Sequence, residues 1–266
     1  MYNWNIKIDN DVVHFGIKFD MSKTRSFLTR NNYAKIDKYN YEKGKSYKYY
    51  LENWSYFENM KEELIKDVDQ NYNLTIYPPS LKFEMNGNQL QLTDDFCEKY
   101  HKACMINYDL NMNFIKNLDK EKFVSVIDKI IKDYNMIKIT DLNTCKGKKG
   151  IYMMVLDNYK QVYIGQTTRD IRERILRHWK NKPCFDKVLF GRETSSVISI
   201  DSYGFLDTSR IYTIFLDDWK KIDEYEENMI NNIPNEFLVN RIGGGIHLNT
   251  DSDFLKGLKT INKRNL

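Results

Sequence analysis

The sequence predicts an α+β protein of two domains, the C-terminal one built on a small antiparallel sheet flanked by helices. Three observations lead to this prediction. A chain of 266 residues, with 41% hydrophobic residues and 4 prolines, has the length and composition of two ordinary folded domains. Two short apolar runs around a polar loop indicate a hairpin at 150–165. A third apolar run, at 210–216, lies between two segments whose apolar residues recur at helical spacing.

Residues 1–145 are predicted to form a separate α+β domain whose role is target recognition or regulation. Short strand-like runs flank a helix predicted around 56–70, and residues 94–135 have an apolar stripe at helical spacing. Residues 15–50 carry 9 Lys/Arg against 3 Asp/Glu, interleaved with six tyrosines. Basic and aromatic side chains together suit a phosphate backbone with stacked bases, although a Lys, Tyr and Asn bias runs through the whole chain. We place the boundary near residue 145, where "DLNTCKGKKG" loses the helical period.

Charge is unevenly distributed over the predicted C-terminal domain, residues 146–266. Residues 146–190 hold 11 Lys/Arg against 4 Asp/Glu, a balance of +7. Residues 191–250 hold 5 Lys/Arg against 10 Asp/Glu, a balance of −5. A basic segment next to an acidic one suits a surface that faces a polyanion beside a cation-binding pocket. Unevenly charged solvated faces are the alternative interpretation.

The composition also limits where the protein is expected to work. The four cysteines have no metal-ligand spacing, which disfavours a zinc site and favours a reducing interior. No segment approaches the roughly 18 uninterrupted apolar residues of a membrane span, and the N-terminus carries charges where a signal peptide needs an apolar core. We therefore expect a cytoplasmic protein without a membrane partner.

The hairpin brings two tyrosines together. "GIYMMVL" at 150–156 is typical of a short buried strand, "DNYKQ" is a polar loop of hairpin length, and "VYIG" at 162–165 is a second short strand. Tyr152 and Tyr163 are then expected on neighbouring strands.

A helix is predicted directly after the hairpin, over "RDIRERILRHWKNK", 169–182. Thr167 and Asp170 have the spacing of a capping box, which places the start of the helix. Arg174 and His178 are four residues apart and share one stripe of this helix. The side chains expected to face the core are Ile171, Ile175 and Trp179. One arginine and one histidine are thus expected over the end of the hairpin.

A second helix, over 217–234, carries a carboxylate in an unexpected place. Glu226 falls about 40° from Ile222 and about 40° from Ile230, in the middle of the apolar stripe. An isolated buried carboxylate costs roughly several kcal/mol unless it is paired or binds a metal. A salt bridge to a basic residue such as Arg174 and a metal site are both open. The side chains predicted on the apolar face of this helix are Trp219, Ile222, Met229, Ile230 and Ile233.

Taken together, these elements resemble the GIY-YIG nuclease superfamily over about residues 148–250. That superfamily includes the first incision domain of bacterial excision repair, intron-encoded homing endonucleases and some restriction enzymes. The resemblance implies a small three-stranded antiparallel sheet flanked by helices. The matching elements, in chain order, are "GIY" at 150–152, "YIG" at 163–165, Arg174 with His178, Glu226, and Asn240 before a glycine-rich turn.

The resemblance implies roles for these residues in phosphodiester hydrolysis. Glu226 would hold one divalent ion, Mg²⁺ or Mn²⁺, and Arg174 would clamp the scissile phosphate. Tyr152 is the expected general base and Tyr163 would orient phosphate or water, although the two roles are interchangeable. His178 would be a proton shuttle or a phosphate contact.

Further residues are expected around this centre. Asn240 would fix the geometry, by bonding a phosphate oxygen or the base. The insertion between His178 and Glu226 contains Asp201 and Asp207, which are either polar loop residues or approach the site. The side chains expected on the nucleic-acid backbone are Arg169, Arg172, Arg177 and Lys180.

The function expected from the sequence is a metal-dependent DNA endonuclease. Double-strand cleavage of a defined sequence, as in restriction, phage defence or a mobile element, is favoured because the chain brings its own N-terminal domain. A repair or structure-specific nuclease is the alternative within the same chemistry, and a non-catalytic nucleic-acid-binding protein is the alternative from another class. A dimer would be needed to cut both strands at once with one site per subunit.

Overall fold

A computed structural model describes residues 11–20, 28–34, 83–86, 89–92, 94–183, 185, 188–189 and 196–241. The helix predicted around 56–70, most of the basic segment 15–50 and the glycine-rich turn after Asn240 lie outside these residues. The chain divides into two compact units. The first, called here the sheet unit, comprises Met1–Leu28, Ile115–Lys182 and Ser199–Asn240, and the second comprises Thr29–Phe114, Pro183–Ile198 and Arg241–Leu266. The predicted boundary near residue 145 stays a prediction.

The sheet unit contains a four-stranded antiparallel sheet in the order β5-β8-β6-β7. The strands are β5 (Ile137–Ile139), β6 (Gly150–Leu156), β7 (Gln161–Thr167) and β8 (Arg210–Phe215). The expectation of three strands was therefore wrong by one edge strand. The extra strand, β5, has only three residues and pairs with β8 from Ile137↔Thr213 to Ile139↔Ile211. A strand this short has no alternation that a sequence pattern can detect.

The predicted hairpin is formed by β6 and β7, paired from Gly150↔Thr167 to Leu156↔Gln161. Its loop is a 3-10 turn, Asp157–Tyr159, closed by Lys160 in the left-handed conformation with φ 49°. Because β6 lies between β7 and β8, all seven of its residues are buried. This explains why its sequence is almost uniformly apolar rather than alternating.

The four-stranded sheet has an apolar core on one face. Ile151, Met153 and Val155 of β6 belong to one buried cluster with residues of two helices, α3 (Lys120–Asp133) and α5 (Trp219–Asn232). Trp219, predicted to share the buried face of α5, is instead 59% exposed because it is the first residue of the helix. The helical residues of the core are Phe123, Ile127, Ile130, Ile222, Met229 and Ile230.

The helix after the hairpin is α4, Ile171–Lys180, and its start differs from the expected one. Asp170 is the N-cap, and its carboxylate accepts the backbone N–H of Glu173 at 3.0 Å. Thr167, expected to cap the helix, is the last residue of β7, and its hydroxyl accepts the N–H of Arg169 at 3.1 Å. The buried side chains of α4 include the three predicted ones, Ile171, Ile175 and Trp179.

A second hairpin, β1 (Asp11–His14) and β2 (Ile17–Asp20), also belongs to the sheet unit. Phe19 of this hairpin stacks on Phe205 with ring centroids 4.0 Å apart. His14 Nε2 donates to the carbonyl of Thr208 at 2.8 Å, and the indole N–H of Trp179 donates to the Thr208 hydroxyl at 2.9 Å. The hairpin therefore supports both α4 and the insertion that follows it.

The second unit contains α1 (Arg30–Tyr33), a hairpin of β3 (Phe83–Asn86) and β4 (Gln89–Leu92), and most of α2 (Asp94–Asn117). The predicted helical region 94–135 is thus two helices, α2 and α3, because Asp119 caps the second and accepts the N–H of Lys122. Buried Asn107 donates to the hydroxyl of Tyr33 at 2.7 Å. No helix in the described part of the chain is both long and apolar enough to span a membrane.

Candidate active site

The two tyrosines of the hairpin lie on the face of the sheet opposite the apolar core. Tyr152 is paired with Gly165 and Met154 with Tyr163, so the tyrosines are diagonal neighbours on one face. Their ring centroids are 6.1 Å apart. Tyr152 is completely buried, whereas Tyr163 is only half-buried. Tyr163 is therefore the more exposed of the two tyrosines.

The two glycines of the hairpin make this arrangement possible. A Cβ on Gly165 would overlap the ring and hydroxyl of Tyr152 and would lie 2.7 Å from Cε1 of Tyr163. Gly150 has φ +133°, and a Cβ there would run into the backbone of β8 at Ile214. The missing side chain at Gly165 leaves room for the two tyrosine rings, and the missing side chain at Gly150 leaves room for strand β8.

Helix α4 holds a histidine and an arginine over the tyrosines. His178 is buried, and its Nε2 lies 2.9 Å from the hydroxyl oxygen of Tyr152. The rings of His178 and Tyr163 are 5.0 Å apart in an edge-on arrangement. Arg174, one turn earlier, is half-buried and lies within electrostatic reach of Tyr152. The structure thus brings together four of the predicted site residues.

The insertion contributes one carboxylate to the site and one to its framework. Asp201 Oδ1 lies 2.6 Å from Nδ1 of His178, so of the two open interpretations of Asp201 the site contact is the one observed. Asp207 is buried and accepts hydrogen bonds from the backbone N–H groups of Leu28 and Gly204 and from the hydroxyl of Tyr159. Asp207 is therefore a structural residue.

Both tyrosines are held in the neutral form by their surroundings. Burial raises the pKa of Tyr152 well above its usual range, and the neighbouring Tyr163 raises it further. Burial, with the carboxylate of Glu226 next, raises the pKa of Tyr163 to about 12. Arg174 acts in the opposite direction on the pKa of both phenols. A proton leaving Tyr152 at neutral pH therefore needs an acceptor, and His178 is in hydrogen-bond contact with it.

Glu226 lies on α5 and is only 6% exposed, which confirms the buried carboxylate predicted from the helical period. Its effect on the pKa of both tyrosines puts the carboxylate within electrostatic reach of them. Among the residues described, no three His, Cys, Asp or Glu side chains are grouped to hold a metal ion. Mg²⁺ nevertheless uses about one or two carboxylates and completes its shell with phosphate and water. A single buried carboxylate such as Glu226 would fit that ion where a phosphate and water supply the remaining ligands.

Asn240 acts on the backbone of β7. Its Oδ1 accepts the N–H of Ile164 at 3.0 Å, and its Nδ2 donates to the carbonyl of the same residue at 2.7 Å. Ile164 lies between Tyr163 and Gly165, so Asn240 fixes the strand on which the second tyrosine sits. A direct contact of Asn240 with phosphate stays a prediction.

The four basic residues predicted to bind nucleic acid differ in their surroundings. Arg169 precedes α4, and Arg177 and Lys180 lie on it; all three are exposed. Arg172 donates to Asn143 Oδ1 at 3.1 Å and pairs with Glu173. Part of the charge of Arg172 is therefore already neutralised within the protein.

The C-terminal part of the chain matches a known protein family. Residues 148–235 match the family model of the GIY-YIG catalytic domain, which confirms the resemblance and leaves Asn240 just beyond the matched region. No curated protein and no solved structure gives a match.

Proposed function

We propose that this protein is a metal-dependent DNA endonuclease, because residues 148–235 match the family model of the GIY-YIG catalytic domain, a nuclease module that acts on nucleic acid. The observation that carries the proposal is the hydrogen-bonded pair of Tyr152 and His178, with Arg174 beside it and Glu226 within electrostatic reach. A buried phenol, an imidazole and a guanidinium lie together on one face of the sheet, and a buried carboxylate is within electrostatic reach of them. These are the groups that hydrolysis of a phosphodiester requires.

The phenol and the imidazole act on the attacking water. Tyr152 takes a proton from water while its own hydroxyl proton passes to His178 Nε2, 2.9 Å away. This transfer avoids a free phenolate, which burial disfavours. Tyr163, half-buried at the edge of the pair, orients the water or the phosphate.

The guanidinium and the carboxylate act on the phosphate. The fork of Arg174 binds two phosphate oxygens, and its position beside the tyrosines directs the phosphate to the attacking water. Glu226 would hold a divalent ion, Mg²⁺ or Mn²⁺, which when bound supplies positive charge to the phosphate oxygens. Arg169, Arg177 and Lys180 are exposed for contact with the flanking backbone.

We further propose double-stranded DNA as substrate, cut at a defined sequence as in restriction, phage defence or a mobile element. The support for this is the additional chain outside the matched region, which gives the catalytic module a means of recognition. Cleavage of both strands in one encounter would require two copies of the chain.

The test compares two neighbouring glutamates of α5. The parent protein and the Glu226→Gln and Glu227→Gln variants are incubated with plasmid, linear duplex, branched duplex and RNA in Mg²⁺ and in Mn²⁺. Glu227 is exposed, so Glu227→Gln is the matched control for the loss of one charge. We expect the parent and Glu227→Gln to cut duplex DNA, and Glu226→Gln to bind DNA without cutting it.

The products distinguish the alternatives. Discrete fragments support sequence-specific cleavage, and a preference for the branched duplex would favour a structure-specific nuclease. Cleavage by Glu226→Gln at the parent rate would contradict the role of Glu226. Binding without cleavage by the parent on every substrate and with both ions would contradict the nuclease proposal in favour of a binding protein.

A further inference from the structure

Asp201 is the only carboxylate of the insertion that is bonded to a side chain of the predicted site among the residues the structure describes. Its Oδ1 lies 2.6 Å from Nδ1 of His178, while Nε2 of the same ring lies 2.9 Å from the hydroxyl of Tyr152. The three side chains therefore form a chain of hydrogen bonds from a half-buried carboxylate to a buried phenol.

The chemistry of the three groups decides the direction of these hydrogen bonds. An ionised carboxylate only accepts, so Nδ1 of His178 must donate to Asp201. In the neutral imidazole the other nitrogen, Nε2, then has a lone pair and accepts the hydroxyl proton of Tyr152. Without the carboxylate, either ring nitrogen could carry the proton. A ring protonated at Nε2 could not accept the proton of Tyr152.

The insertion holds Asp201 in place for this contact. Asp201 lies in a 3-10 turn, Ile200–Ser202, and its backbone N–H donates to the hydroxyl of Ser199 at 3.3 Å. The turn is closed by the N–H of Tyr203, which donates to the carbonyl of Ile200 at 3.1 Å. Both Ser202 and Tyr203 are buried. The carboxylate is thus carried by an ordered, packed segment.

We propose that Asp201 is a positioning residue of the reaction, which holds His178 in the tautomer whose Nε2 accepts the proton of Tyr152. This inference rests on the proposed nuclease function. In the reaction, a water proton passes to the oxygen of Tyr152 and the Tyr152 proton passes to Nε2. The water oxygen bonds to phosphorus, the bond to the leaving oxygen breaks, and that oxygen takes up a proton from solvent. His178 then returns its proton to solvent.

The tautomer can be measured directly in the parent protein. The chain is labelled with ¹⁵N-histidine, and of its 4 histidines, His178 is assigned by the signal that disappears in the His178→Gln spectrum. Long-range ¹⁵N–¹H correlations then identify the protonated ring nitrogen. We expect Nδ1 to be protonated. A ring protonated at Nε2 in the parent would overturn the proposal, and this measurement depends on neither a variant nor cleavage.

Substitutions test the consequence for the rate. We expect Asp201→Ala to lower the single-turnover cleavage rate about 100-fold while DNA affinity changes by less than about twofold, because a general base contributes about 10²–10⁴-fold. Asp201→Glu, which restores the acceptor, should recover at least about tenfold of that loss. Asp217, an exposed carboxylate after β8, provides the control Asp217→Ala, which should leave the rate unchanged.

Two results separate this inference from the proposed function. If the parent cleaves DNA and a folded Asp201→Ala protein cleaves within about threefold of it, the positioning role of Asp201 is wrong. If the parent cleaves no substrate, the nuclease proposal fails, and the tautomer in the parent spectrum still decides whether Asp201 orients His178. A thermal melt of each variant establishes that it is folded.

Discussion

Replacing Gly165 by alanine tests whether this glycine is required by the tyrosine pair. The added Cβ would lie 2.7 Å from Cε1 of Tyr163, and ordinary van der Waals contact begins at 3.4 Å. The Tyr163 ring must therefore move by about 0.7 Å, and Tyr152, which the same Cβ overlaps, must move as well. Overpacking of this kind costs about 1–3 kcal/mol of unfolding free energy. A displacement approaching 1 Å at reacting groups lowers the rate by up to about 100-fold.

The assay is single-turnover cleavage of a duplex, with denaturant unfolding of the same proteins. Gly147→Ala is the matched control, because Gly147 has φ +70° and nothing within 4 Å of an added Cβ. Its cost is backbone strain alone, about 1–2 kcal/mol. We expect both variants to lose stability and only Gly165→Ala to lose most of its rate. A Gly165→Ala protein that cleaves as fast as Gly147→Ala would show that the tyrosine pair does not require a glycine at position 165.

Three further predictions concern stability. Asn240→Ala leaves the N–H and carbonyl of Ile164 without their partner, and we expect a loss of about 2–4 kcal/mol in urea unfolding; an unchanged midpoint would show that these two bonds contribute nothing. The pKa of Tyr163 rises on folding from its usual value of about 10 to about 12. The free energy of unfolding should therefore fall as the pH rises from about 10 through about 12, and Tyr163→Phe should make this pH dependence weaker. An equal pH dependence of the melts of the parent and of Tyr163→Phe would contradict the assignment. A chain starting at residue 146 lacks three core side chains of α3, Phe123, Ile127 and Ile130, whose burial stabilises the fold by roughly 5–9 kcal/mol together. We therefore expect this shortened chain not to fold alone. A cooperative thermal melt of it would favour the domain boundary near residue 145.

The parts of the fold that the sequence predicted are those carried by local periodicity. The β6–β7 hairpin, the buried face of α4 and the buried position of Glu226 follow from patterns within about 15 residues, and the structure confirms each of them. The short edge strand β5 was not predicted, because a strand of three residues has no detectable alternation of apolar and polar side chains. The start of α4 was misplaced because Thr167 and Asp170 are both capable caps within one turn, and only the end of β7 decides between them.

The sequence indicated which residues lie close together in the candidate site better than it indicated the contacts between them. Asp201 contacts His178 across 23 residues of sequence, through a turn whose position depends on tertiary packing, so no local pattern distinguishes it from Asp207. The bonds of Asn240 to the backbone of β7 were not predicted, and its expected contact with phosphate or the base stays a prediction. Contacts of this kind depend on the register of distant strands, which composition and spacing do not contain.

A comparison of Arg174→Ala with Arg177→Ala, in single-turnover cleavage and in DNA binding, tests the proposed phosphodiester-hydrolysing site. The two arginines are three residues apart on α4, one half-buried against Tyr152 and one exposed. An arginine that stabilises the charge of a transferring phosphoryl group is worth about 10³–10⁵-fold in rate. We predict that Arg174→Ala loses at least about 10³-fold in cleavage rate while binding DNA, and that Arg177→Ala loses mainly affinity. Equal, small effects of both substitutions on the rate would contradict a phosphodiester-hydrolysing site at Tyr152, His178 and Arg174.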